Sequence, residues 1–176
     1  MSTQILAPLL AGLALFLVAA PSASAVERLD DSGSRQYAVV PQRTVLTSAH
    51  ASGVAFGDGL GASQATGATL TFGRINYRLA TAKYIGKRAR IYLVIPQATN
   101  VVTTPAALKL EWRGTRAFAS GAGHPGDRVL VWQGVVASAW IDEDVELTLH
   151  VDLRHLQNSA RATAGFESYF EIEASP

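Results

Sequence analysis

Two side chains that can bind a metal ion or move a proton, His150 and Asp152, lie two residues apart in the most regular stretch of the sequence. Residues at i and i+2 of a β-strand project from the same face, so this imidazole and carboxylate can hydrogen bond or share a metal ion. A metal site needs at least one further ligand. His155 points to the other face unless the strand has ended, and His50 or His124 could supply the ligand only through folding. The competing interpretation, which we favour, is a solvated strand face with loose ion pairs.

A second group of candidates consists of residues that could bind a ligand through ring stacking or loop contacts. Tryptophan rings stack on sugars and on partner proteins, although in a small β domain they more often complete the core. The segment from His124 to Asp127 contains Pro-Gly, which is first of all a turn signal. The candidate binding residues are therefore Trp132, Trp140, His124 and Asp127, whereas Trp112 shares a strand face with leucines and is expected in the core.

Sequence motifs for catalysis are absent. The chain has no G-x-S-x-G, no H-E-x-x-H and no phosphate-binding G-K-[ST] after its glycine-rich stretch from Gly53 to Gly67. It has no cysteine, which excludes cysteine catalysis, disulfides and a lipid-modified cysteine. We therefore predict no catalytic residue and no cofactor.

The charge composition is nearly balanced, with 15 basic and 14 acidic residues. Such a balance gives no electrostatic reason to expect nucleic acid as a partner. One basic cluster, formed by Lys83, Lys87, Arg88 and Arg90 with tyrosines between, has the composition of a nucleic-acid face. In a near-neutral chain we interpret it as a solvated strand face.

The elements that would position these residues are β-strands. Apolar and polar residues alternate without a break from Val145 to Arg154, which predicts a half-buried strand that needs a second layer to cover its apolar face. Similar patterns, spaced by turn residues, predict seven to eight strands and no long helix. The fold class is therefore all-β, an antiparallel β-sandwich of the Ig-like or jelly-roll type. The other predicted strands are Tyr37–Val40 at an edge, Thr44–Thr47, Ala68–Ala80, Lys87–Ile95, Leu108–Trp112, Arg128–Val136 and Phe166–Glu173.

Three local features sharpen this prediction. The apolar phase of the strand Ala68–Ala80 changes at Gly73, which indicates a bulge. The segment Arg128–Val136 is apolar on both faces, which favours a central strand. The acidic segment Trp140–Asp144 is interpreted as a turn that leads into the strand at Val145.

The first 25 residues have the pattern of a signal peptide. An apolar run from Ile5 to Ala20 precedes Ala23-Ser24-Ala25, small residues typical of a cleavage site, so we expect a mature chain that begins at Val26. Residues 26–176 then form a single domain. We expect an exported protein in the periplasm, at the cell surface or outside the cell. A membrane-embedded barrel is disfavoured, because strands such as Arg128–Val136 are apolar on both faces.

These observations predict a non-catalytic exported protein, a structural, adhesive or assembly subunit of the bacterial envelope or cell surface. Its partners are expected to be proteins or other copies of itself, with strand addition through a detachable segment from Tyr37 to Thr47 as one mechanism. The first alternative is a periplasmic module that binds a sugar or a small envelope ligand with its glycine-rich loops and an exposed tryptophan. The second is a metal-dependent hydrolase centred on His150 and Asp152.

Overall fold

The computed structural model describes residues 25–34, 42–48, 52–55, 65–97, 102–156 and 168–175. They form ten antiparallel strands joined by turns and three short 3-10 turns. The strands are β1 (Val26–Arg28), β2 (Arg43–Ser48), β3 (Ser52–Ala55), β4 (Ala65–Ala80), β5 (Arg88–Val94), β6 (Leu108–Gly114), β7 (Gly121–Gly123), β8 (Arg128–Val135), β9 (Trp140–Asp152) and β10 (Tyr169–Ala174).

The strands form two sheets. The four-stranded sheet has the order β1-β10-β5-β8, and the six-stranded sheet has the order β3-β2-β4-β9-β6-β7. The larger of two hydrophobic clusters among the described residues lies between the sheets, and both sheets contribute to it. For example, the ring of Tyr77 on β4 meets the ring of Phe170 on β10 edge to face, with centroids 4.9 Å apart. The predicted all-β class with antiparallel sheets is confirmed.

The alternating patterns place side chains as predicted. On β5, Ala89, Ile91 and Leu93 are buried, and on β6 the buried residues are Leu108, Leu110 and Trp112. The phase change at Gly73 is also real. The register between β4 and β9 shifts between Thr71 and Gly73, and Gly73 has a φ of +72°, a conformation that only glycine adopts without strain.

Two predictions about strand position are wrong. The segment Arg128–Val136 is not central, because β8 is the edge strand of the four-stranded sheet. Its outward side chains Leu130 and Val135 are exposed, so the second apolar face of this strand is not buried. The acidic segment Trp140–Asp144 is not a turn but the first part of β9, paired with β4 from Ala80 to Asn76.

The N-terminal segments take different positions. Strand β1 pairs with β10 at one edge of the four-stranded sheet, and Leu29 after it is buried. Strand β2 contains the predicted strand Thr44–Thr47 and lies between β3 and β4, so it is an internal strand and not a detachable one. The predicted signal peptide up to Ser24 and the predicted edge strand Tyr37–Val40 lie outside the described residues. Within the ranges described, no helix has the length and apolar character needed to cross a membrane.

Candidate functional site

His150 lies on the outer face of the six-stranded sheet, near the end of β9. Its Nδ1 atom is 3.2 Å from the hydroxyl of Thr69 on β4, and its Nε2 atom is 3.1 Å from Oε2 of Glu111 on β6. The Nε2 atom is buried, and its contact with Glu111 lacks hydrogen-bond geometry. Glu111 in turn accepts a hydrogen bond from Lys109. This bond has the largest effect on the pKa of the Glu111 carboxyl and the contact with His150 the next largest, and both lower it. The imidazole therefore makes cross-strand contacts on both sides.

Asp152 makes its contacts with Arg154 and not with His150. Its two carboxylate oxygens accept from Nε and Nη2 of Arg154 at 2.9 and 2.6 Å, in the fork geometry of a strong ion pair. This hydrogen-bonded pair lowers the pKa of Asp152 to about 2. His155 belongs to the 3-10 turn after β9 and lies beside Thr103, and His50 lies outside the described residues. Among the residues that the structure describes, no group of three His, Asp or Glu side chains could hold a metal ion.

His124 and Asp127 together close a turn. The backbone N–H of His124 donates to the Asp127 carboxylate at 2.7 Å, and the His124 ring nitrogen Nδ1 is 2.8 Å from the carbonyl oxygen of Leu108. Gly126 between them has a φ of +99°, which fits the Pro-Gly turn signal in the sequence. The polar groups of this loop are thus used within the fold.

The three tryptophans do not form a common platform. Trp112 is buried and donates its indole N–H to the carbonyl oxygen of Ala119, and Trp132 packs against the core. Trp140 is 39% exposed, and the guanidinium of Arg78 lies over its ring, 4.9 Å from the centroid. One face of the Trp140 ring is therefore already occupied by the Arg78 cation.

The sequence reasoning missed Glu143, a carboxylate on β9 that is fully buried. Its Oε1 accepts from the backbone N–H groups of Thr115 and Arg116, and its Oε2 accepts from those of Ala117 and Phe118. Four donors at 2.7 to 3.2 Å compensate for the burial of the charge and fix the loop after β6. A signal existed in the sequence, because Glu143 occupies the same phase as the buried residues Val145 and Leu147.

The outer face of the four-stranded sheet carries a dense polar network. Arg128 on β8 stacks on the ring of Tyr92 at 3.5 Å from the centroid and donates to Glu171 and Glu173 on β10. Burial lowers the pKa of Arg128, but the hydrogen bonds to the two carboxylates outweigh it and raise the pKa. Arg28 lies 4.5 Å above the ring of Tyr169 on the same sheet.

A smaller network joins strand β1 to the 3-10 turn before β5. Glu27 on β1 accepts from Lys83 and from the hydroxyl of Tyr84. Both bonds lower the pKa of Glu27, and the bond to Lys83 has the larger effect. Burial, together with Glu27, raises the pKa of Tyr84. This network holds the short edge strand β1 against the rest of the fold.

Strand β8 offers a free backbone edge. Alternate residues of an antiparallel strand direct their backbone groups to opposite sides. Val136 donates its N–H to the carbonyl oxygen of Lys87, before β5, so Gln133 and Val135 direct theirs away from β5. In the described part of the chain, one backbone hydrogen bond reaches β8 from outside its own sheet, from the N–H of Ala119 to the carbonyl oxygen of Val131 at 2.8 Å.

Comparisons with protein-family models, with curated proteins and with solved structures find no match. Inferences about function therefore depend on this chain's own geometry. That geometry contains polar clusters whose groups bond to one another, and a free strand edge on β8.

Proposed function

We propose that this protein is an exported, non-catalytic β-sandwich that acts as a structural or assembly subunit of the bacterial envelope or cell surface. Its copies join by pairing the free edges of their β8 strands. The apolar leader and the small residues before Val26 support export. The strand β1 begins at Val26, the residue that cleavage would expose. We further propose that the sandwich is of the Ig-like or jelly-roll type.

The observation that carries the proposal is the chemistry of the β8 edge. Edge strands in monomeric proteins are commonly protected by lysines, prolines or inward-pointing charges, because free N–H and C=O groups pair readily with another strand. Strand β8 spans eight residues, RVLVWQGV, with a single charge at its first position and no proline. Its register shift and the bond from Ala119 both lie at Val131, so neither covers the edge at Gln133 and Val135. Its edge groups at Gln133 and Val135 are directed towards solvent within the described structure. Such an edge is suited to pairing with another strand.

Exposed apolar side chains accompany this edge. Leu130 and Val135 lie on the outer face of β8 and are 40% and 54% exposed. Pairing with a second strand would cover part of this apolar surface, and burial of apolar area stabilises association. The same strand therefore provides both backbone groups and apolar contacts for a neighbour.

The absence of catalysis is supported by the polar clusters of the described residues. The carboxylates Glu143 and Asp152 bond to the chain itself, and His150 contacts Thr69 and Glu111. A general acid or base must instead present its proton-transferring atom to a substrate. The candidate residues are thus better suited to stabilising the sheets than to chemistry.

The proposal is tested by the concentration dependence of the mass of the mature protein, measured by size exclusion with light scattering. Val135→Pro removes an N–H on the free side of β8 without removing a bond to β5. Val135→Ala, the matched control, keeps this N–H. We expect the mass to rise with concentration in the unchanged protein and in Val135→Ala, and to stay monomeric in Val135→Pro with the same circular dichroism.

A second variant guards against misfolding of the proline variant. Leu130→Lys places a charge beside the edge and leaves the backbone intact, so it should also prevent association. An unchanged protein that stays monomeric at every concentration contradicts the proposal. So does a Leu130→Lys variant that associates as strongly as the unchanged protein.

A further inference from the structure

A half-open depression of about 440 Å³ lies on the outer face of the four-stranded sheet, across β10, β5 and β8. The strand register explains its lining, because Arg90 on β5 pairs with Glu173 on one side and with Gln133 on the other. Arg88 projects from the same face two residues earlier. The side chains that line the depression are Arg88, Arg90, Gln133, Glu173 and Ser175.

The two guanidinium groups in this depression have no counter-charge of their own in the described structure. Glu173, the single acidic residue in the lining, bonds to other groups, since its Oε1 accepts from Arg128 at 2.9 Å and its Oε2 accepts from Tyr92 at 3.1 Å. No carboxylate of the described residues lies within ion-pair distance of Arg88 or Arg90. The depression therefore has two guanidinium groups without a carboxylate partner, beside a neutral amide, a hydroxyl and the carboxylate of Glu173, which is bonded to Arg128 and Tyr92.

This combination suits a small anion with more than one carboxylate. A guanidinium presents paired N–H donors that match a carboxylate. Residues at i and i+2 of a strand are about 6.6 Å apart, so Arg88 and Arg90 can each bind one carboxylate of the same ligand. The amide of Gln133 and the hydroxyl of Ser175 add uncharged hydrogen-bonding groups. A volume of about 440 Å³ is within the range of small-molecule sites.

We propose that the depression formed by Arg88, Arg90, Gln133 and Ser175 is a binding site for a small polycarboxylate. This site is separate from strand pairing, because it uses side chains on the outer face and not the backbone edge of β8. It is also separate from the candidate sites of the sequence analysis, which interprets Arg88 and Arg90 as part of a solvated strand face.

The test uses citrate as the probe and nuclear magnetic resonance of the mature protein as the readout. Titration should give saturable shifts at residues 88–90, 133 and 175, and uncharged xylitol should give none. The double variant R88Q and R90Q should weaken citrate binding by about tenfold or more, because it removes the charge-assisted contacts. Binding should also weaken as salt is added. The matched control, R74Q and R113Q, removes two exposed arginines of the other sheet and should bind citrate normally.

Three results would overturn the proposal. Citrate shifts that do not saturate, or that affect residues 74 and 113 equally, would indicate nonspecific attraction. Unchanged affinity in the R88Q and R90Q variant would exclude the two arginines. Loss of self-association in that variant, with no citrate binding to the unchanged protein, would assign the arginines to an acidic side chain of a neighbour. Val135→Pro should bind citrate normally, so failure of strand pairing and failure of this site are distinguishable.

Discussion

The backbone N–H of Ala119 donates to the carbonyl oxygen of Val131 at 2.8 Å and thereby joins the loop after β6 to the edge strand β8. The residues just before Ala119, from Thr115 to Phe118, are held by the buried carboxylate of Glu143. The position of this loop thus depends on Glu143. So does the hydrogen bond from Ala119, the one backbone bond that reaches β8 from outside its own sheet among the described residues. The remaining edge stays open at Gln133 and Val135.

Replacing Glu143 by glutamine should destabilise the fold. The amide keeps one acceptor oxygen but loses the other, so two of the four backbone N–H groups are left without a partner in a buried site. We expect a loss of about 3 kcal/mol in the free energy of unfolding, measured by urea denaturation. The control is Asp142→Asn, whose side chain is exposed and makes one long ion pair with Arg78. Equal stability of the two variants would contradict the role given to Glu143.

Asp152 should titrate well below an ordinary aspartate, because Arg154 holds it in the charged form. The pKa of Asp152 is lowered to about 2 from 3.8. A carboxyl with a lowered folded-state pKa contributes stability that is present above its unfolded value and is lost as the pH falls through the folded value. We expect the carboxyl resonance of Asp152 to move with a midpoint near 2. In Arg154→Gln the midpoint should return towards 3.8; a midpoint that is already near 3.8 in the unchanged protein would show that the pair does not form in solution.

The metal-hydrolase alternative makes a separate prediction about His150. Since its ring contacts Thr69 and Glu111, we expect elemental analysis of the purified protein to find no stoichiometric metal. His150→Ala should lower stability by less than about 1 kcal/mol, the usual range for a partly exposed pair. One bound metal ion per chain, lost in His150→Ala, would restore the alternative.

The ligand-module alternative depends on an accessible tryptophan. Trp112 and Trp132 belong to the core or pack against it, so Trp140 should account for most of the fluorescence that acrylamide quenches. Trp140→Phe should remove that quenchable fraction, and sugars should not alter the emission of the unchanged protein. Saturable quenching by a sugar, absent in Trp140→Phe, would favour the ligand module.

The sequence predicts strand faces better than strand positions. Alternation identifies β5, β6 and β9 because a strand buried on one side leaves a two-residue period in its side chains. Alternation does not show which backbone edges are paired. For this reason the sequence pattern of Arg128–Val136 predicts a central strand, although β8 lies at an edge. A register shift opposite Ile91 and Tyr92 contributes to the wrong prediction of a central strand. It leaves Val131 without a partner on β5, and therefore the consecutive residues Val131 and Trp132 both pack on the core.

The sequence also does not show which residues of neighbouring strands surround each candidate site. Residue spacing placed His150 and Asp152 near each other, but only the fold shows that β4 and β6 supply the contacts of His150 and that Arg154 takes those of Asp152. The depression at Arg88 and Arg90 was equally hidden, since it depends on Gln133 and Glu173 from strands distant in the chain. Cross-strand neighbours are set by register, which a single sequence does not specify here.

The central claim, pairing of β8 edges between copies, is tested most directly by hydrogen exchange of individual β8 amides at several protein concentrations. Gly134, whose backbone faces β5, serves as the internal control. We predict that the amides of Gln133 and Val135 exchange rapidly in dilute protein and become protected as the concentration rises, while Gly134 stays protected throughout. Rapid exchange of Gln133 and Val135 at every concentration, including those at which the mass has risen, would contradict the claim.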